Sequence, residues 1–152
     1  MKAALFALGS LALPAWADDA PSGWAVFPTQ KSYEELLTDT KAAVKENGLI
    51  VVTQAGPTQA AAARGIIIPG NRVIGVFNND YAVRVLETSV NAMIEAPIRF
   101  YVTEKPDGTA TLSYKTPSFV FSPYLPEGGE PLRNIAADLD TKFQSIAETA
   151  VK

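Results

Sequence analysis

An α+β domain is what this sequence predicts, a single compact unit in which an antiparallel sheet packs against helices. Three stretches carry that reading. Amphipathic helical patterns open at Ser32 and again near Leu132, and each needs an apolar surface to cover. Between them, residues 98–103 alternate apolar and polar, and residues 109–115 return after Asp107-Gly108, which is a hairpin signature. All of this shares 152 residues, of which 47% are hydrophobic, enough chain for one core and no second domain.

The first 17 residues read as a leader. Lys2 precedes an apolar run over residues 3–13, broken by Gly9 and Ser10, and Pro14 with Ala15-Trp16-Ala17 closes it. That pattern describes a cleavable secretory signal cut after Ala17. The run is short of the roughly 20 residues that span a bilayer, which disfavours the alternative of an uncleaved anchor. A periplasmic or secreted protein, with no membrane span once the signal is removed, is therefore expected.

Residues 18–30 supply a short polar leader and a first strand, with residues 24–27 extended and Pro28 ending them. Residues 31–152 form the domain proper. Ser32 and Glu35 have the spacing of a capping box, Tyr33, Leu36, Leu37, Thr40, Ala43 and Val44 follow at helical intervals, and Gly48 stops the helix. Residues 49–52 then read as a buried strand, and Thr58 caps a short Ala-rich helix ending at Gly65.

Residues 72–77, β-branched and aromatic, read as a central strand that stops at Asn78, Asn79 and Asp80, residues that favour turns and helix caps. A helix from Asp80 to about Ala92 follows, and Pro97 prepares the hairpin. Pro117, Pro123, Pro126 and Pro131, interleaved with Phe119, Phe121 and Tyr124, predict an ordered but irregular flap. The closing helix shows Leu132, Ile135, Leu139, Phe143 and Ile146 as its apolar stripe.

Composition narrows the chemistry. The formal charge is −3, with Lys and Arg scattered, so nucleic-acid binding is not expected. There is no Cys and no His. Disulfides, thiolate nucleophiles, Cys/His zinc sites and every Ser-His or Cys-His pair are thereby excluded. No Asp-rich calcium loop stands in the sequence, so no cofactor and no metal is expected.

Three strings resemble the family catalogued as domain of unknown function 302, in its secreted form: SYEELLTDTKAAVKENGLIVV, RVIGVFNNDYA and APIRFYVTEKPDGTATLSYKTP. The family's Asn-Pro turn is matched at Asn78 with Asn79 in place of Pro, its later prolines at Pro97 and Pro117, and its hairpin Tyr at Tyr114. The Cys that many members carry after Pro97 is Ile98 here, and the Asp-His of secreted members is replaced around Gln54, Ala55 and Gly56. The resemblance implies a plan similar to the TATA-binding-protein-like fold and a homodimer, and it implies no activity.

Candidate ligand-binding residues are Asn78, Asp80, Tyr114, Pro117, Phe119 and Tyr124, with Lys115 beside them. Strand pairing would bring them near strand ends, where the aromatic flap could close a small apolar pocket with a polar mouth. A non-catalytic domain binding a small-molecule ligand or a partner is the function expected. Two other readings stand beside it. One is a dimeric interaction protein of the cell envelope, marked by an exposed patch at Phe119, Val120 and Phe121. The other is an enzyme without His or Cys, using Asp80 with Glu95 or Tyr114 with Lys115, which no fixed spacing supports, so no catalytic residue is assigned.

Overall fold

The computed structural model describes residues 20–152, and the expected signal, residues 1–17, lies outside them. The elements are β1 (Trp24–Ser32), α1 (Tyr33–Glu46), β2 (Ile50–Ala55), α2 (Thr58–Ala62), β3 (Asn71–Phe77), α3 (Asn79–Thr88), β4 (Ile98–Glu104), β5 (Thr109–Lys115), α4 (Pro117–Phe121) and α5 (Leu125–Ala150). Short 3-10 turns occupy Asn91–Glu95 and Ser122–Tyr124. The strands form one antiparallel sheet in the order β1-β5-β4-β3-β2, so the α+β architecture is the one the sequence predicts.

Because side chains alternate along a strand, the register sorts the sheet into two faces. Ile74, Val76, Ile98, Phe100, Val102, Ala110, Leu112 and Tyr114 share one face, and all are buried. Leu36, Leu37 and Val44 from α1, with Leu132, Ile135, Leu139, Phe143 and Ile146 from α5, complete the same core. Phe143 stacks on Phe100 with ring centroids 4.5 Å apart and meets Tyr114 edge-on at 5.4 Å. Helices α1, α3 and α4 all pack against α5, so the helical layer lies on this face. The opposite face has no helical cover among the described residues.

Local chemistry explains the well-predicted elements. Ser32 Oγ accepts the Glu35 N–H and Glu35 accepts the Ser32 N–H, the capping box that starts α1. Gly48 takes the left-handed φ of 76° that the helix end requires. Asn78 Oδ1 accepts from the N–H groups of Asp80 and Tyr81 and so starts α3, while its Nδ2 donates to the Gly48 carbonyl. The hairpin turns at Asp107-Gly108, where Asp107 accepts from the Thr109 N–H and Gly108 has φ 81°.

Five expectations need correction. The apolar run 49–52 is not a buried strand: β2 is an edge strand with Ile50 59% exposed, and only Leu49 is buried. β3 is the second strand in from that edge and β4 is the central one, because strand order follows long-range pairing that no local pattern encodes. Helix α3 ends at Thr88, where Ser89 turns extended, and Asn91–Glu95 forms a separate turn. β1 runs past Pro28 to Ser32, since an edge strand tolerates a residue with no N–H and the register shifts between them.

The fifth concerns the expected flap. Residues 117–131 are helical, because the prolines stand where a helix needs no N–H. Pro117 begins α4 under the Thr116 cap, and Pro126 lies in the first turn of α5. Pro131 follows the break at Gly129, which adopts φ 59° and ψ −149°.

Candidate functional site

On the uncovered face the register lays side chains in rows. Trp24 pairs with Lys115, and Gly75 pairs with Arg99, which puts Trp24, Lys115, Arg99 and Gly75 across β1, β5, β4 and β3. In the next row stand Val26, Ser113, Tyr101 and Val73. A cavity of about 430 Å³ opens over these rows, lined by Trp24, Asn71, Val73, Arg99, Tyr101 and Lys115. It turns past the strand ends, where Glu95, Ile98, Tyr114 and Val120 complete its wall.

Two local features hold Trp24 in place. The Thr116 N–H donates to the Gly23 carbonyl at 2.8 Å, clamping the start of β1 to the end of β5. Gly23 has φ 76° and lies so close to the Phe119 ring that any side chain there would overlap it. On the far side, Gly75 leaves room for Thr53 and Pro97, whose side chains fill the space a Cβ would take.

The electrostatics of the cavity are positive in an acidic chain. Arg99 and Lys115 are exposed, and the three ion pairs among the described residues, Lys31–Asp39, Arg84–Asp138 and Arg133–Glu130, involve neither. The Tyr101 hydroxyl accepts from Asn71 Nδ2 at 2.6 Å, so its own proton is free for another acceptor. Glu95, the single carboxylate of the wall, accepts from the Tyr124 hydroxyl at 2.7 Å, and that bond holds the Tyr124 pKa above its usual value. Burial, and then the charges of Asp140 and Glu148, push Tyr114 up to about 12. Its hydroxyl is therefore neutral across the physiological range.

The sequence-predicted candidates are dispersed. Tyr114 lines this cavity while its ring sits in the aromatic core. Asn78 lines a separate cavity of about 40 Å³ on the helical side, otherwise walled by aliphatic and aromatic side chains including Tyr81 and with room for little more than a water. Asp80 is exposed in the first turn of α3, and Pro117 is fully buried at the start of α4. Phe119 is 41% exposed and packs on Gly23, Val120 is half-buried and Phe121 buried, so these three make no continuous exposed patch. Tyr124 faces a surface groove with Leu86, Val90, Ile94, Pro123 and Pro126.

Trp24, Asn71, Arg99 and Tyr101 were not legible as site residues. The signal for Arg99 and Tyr101 was present in the outward half of the strand alternation, which a search for core positions passes over. Trp24 and Asn71 join them only through pairing distant in sequence.

A five-stranded antiparallel sheet backed by helices on one face, with a polar-rimmed cavity on the other, defines a two-layer α+β domain with an open sheet. The family model for domain of unknown function DUF302 matches residues 26–150, and the chain belongs to that family. The chain is also similar to the crystal structure of an uncharacterized conserved DUF302 protein from Bacillus stearothermophilus. That match has a TM-score of 0.74 and 17% identity, and it covers 87% of this chain and 100% of the other. At that identity the likeness is one of fold. No curated protein matches the chain.

Proposed function

We propose that this protein is an exported, non-catalytic domain that binds a small ligand on the uncovered face of its sheet. The observation that carries the reading is the 430 Å³ cavity, a size typical of small-molecule sites, with apolar and aromatic walls and a few convergent polar groups. The leader pattern of residues 1–17 supports export. We site the ligand at Trp24, Arg99, Tyr101 and Lys115, with Tyr114 at the cavity's inner edge, and not at the Asn78 turn, whose polar atoms are engaged in capping. Native mass spectrometry of protein recovered from its own host tests this. A retained small molecule that is lost on Tyr101→Ala supports the reading, whereas a ligand-free protein with no melting shift across a metabolite panel overturns it.

A second reading, self-association of two copies, is favoured by the β2 edge. Residues 47–63 carry no charge, and Ile50 and Val52 project from an unpaired strand edge. Both edge strands carry a register shift, β2 between Val51 and Thr53, but β1 adds Pro28 and Lys31, a missing N–H and a charge that guard against edge-to-edge pairing. Two β2 edges related by a twofold axis can pair antiparallel without like-charge repulsion. Sedimentation of the protein with and without Val52→Lys tests it, and a monomer at every concentration would sink it.

A further inference from the structure

Granting that the open-face cavity is a ligand site, we infer that its ligand is a small planar organic anion, a ring bearing a carboxylate. The face of the sheet that forms the cavity separates into two chemistries. Arg99 and Lys115 stand side by side on adjacent strands with no carboxylate of the described chain within ion-pair distance. Two cations held on neighbouring strands repel each other, so an anion between them relieves a cost as well as making charge-assisted bonds.

Trp24 and Tyr101 provide the second chemistry. Trp24 adjoins Lys115 in the register, and Tyr101 lies one row further on, so flat apolar surface borders the cationic pair. Val73 adds an aliphatic floor. The Tyr101 hydroxyl, its oxygen already accepting from Asn71, is left as a donor, which again suits an acceptor-rich ligand. Arg guanidinium presents a planar fork matched to a carboxylate, and an aromatic wall favours a ring over a bare inorganic ion. Glu95 at the inner wall is held by Tyr124 and would repel a second anionic group there, so a single negative charge at the Arg99–Lys115 end fits the site.

The sequence supplies its own reporter. Its two tryptophans are Trp16, in the leader, and Trp24, in the cavity wall, so the full chain with Trp16→Phe carries one indole at the site. Titrating this protein with benzoate, benzamide, acetate and inorganic phosphate reads the ligand class directly. The expected result is a saturable change in Trp24 emission with benzoate, weakened about tenfold or more by Arg99→Gln or Lys115→Gln, as loss of a charge-assisted bond implies. Both positions are exposed, so these variants keep the fold, which circular dichroism verifies.

If benzamide binds as well as benzoate, the anion assignment falls while the ligand-site reading stands. Phosphate or acetate binding as tightly as benzoate removes the planar ring from the proposal. Should none of the four perturb Trp24 at millimolar concentration, the inference is overturned, and the ligand-site reading is then judged separately by whether protein from its host retains a molecule.

Discussion

Asn71 Nδ2 lies 2.6 Å from the Tyr101 hydroxyl oxygen, a bond between adjacent strands on the face that no helix of the described residues covers. It fixes which way the phenol proton points, because an oxygen that already accepts from the amide turns its own hydrogen elsewhere. Tyr101→Phe removes that donor and leaves the Asn71 amide at a half-exposed site where water replaces it. Thermal unfolding should then change by no more than about 1 kcal/mol, while benzoate affinity measured through Trp24 falls several-fold.

The core makes a larger demand at Phe143. Its ring stacks on Phe100 and meets Tyr114 edge-on, joining the last helix to both strands of the hairpin, β4 and β5. Phe143 is 1% exposed, so truncation leaves a cavity that the sheet cannot collapse to fill. Phe143→Ala should cost about 3–5 kcal/mol in urea unfolding. A loss below about 1 kcal/mol would show that α5 does not seal the sheet.

Gly75 tests close packing on the other face. A methyl there would overlap Thr53 Oγ1 and the Pro97 ring; the exposed Thr53 hydroxyl must rotate away, and the Pro97 ring has no rotamer that clears the space. Gly75→Ala should destabilise by about 1–3 kcal/mol, and Thr53→Ala should recover part of the loss in the double variant. Additive losses in the double variant would place the strain elsewhere.

Tyr33 gives a prediction of opposite sign. Its hydroxyl is buried with no hydrogen-bond partner among the described residues, so the folded state bears the cost of desolvating it. Tyr33→Phe should leave the melting temperature unchanged or raise it by a few degrees. A clear fall would reveal a partner for the hydroxyl.

The pH dependence follows from groups whose pKa differs between states. Hydrogen bonds from the Ser32 backbone and hydroxyl lower Glu35 from 4.5, and bonds from Thr109 lower Asp107 from 3.8. A depressed carboxyl binds its proton more readily in the unfolded chain, so its stabilisation is present above the unfolded pKa and is lost as pH falls through the folded one. Glu35→Gln and Asp107→Asn should therefore flatten the acid limb of the stability curve below about pH 4.5. Tyr114 works at the other end: with its pKa raised from 10.0 to about 12, the unfolded chain loses the proton first, and stability should decline from pH 10 upward. Tyr114→Phe should reduce that decline, as read by ellipticity across the alkaline range.

The elements that could be read beforehand share a short range. The Ser32–Glu35 box, the Gly48 stop, the Asn78 cap and the Asp107-Gly108 turn each join groups a few residues apart, so the local string contains the whole interaction. The prolines of residues 117–131 were misleading for a related reason. Proline breaks a helix interior but suits its first turn, and which of these holds depends on where the helix starts, a boundary set by packing on α5.

By itself the sequence determined the fold class, the leader pattern and the chemistry that a chain without Cys or His cannot perform, since these rest on residue types and on periodicities of two and 3.6. Tertiary structure alone decided that β2 is an edge, that β4 is central and that Trp24, Arg99, Tyr101 and Lys115 share one face. The physical reason is the range of the interaction. Strand order and register are chosen by pairing between segments as far apart as Trp24 and Lys115, and the free energy of that pairing belongs to the assembled sheet and to no single stretch of chain.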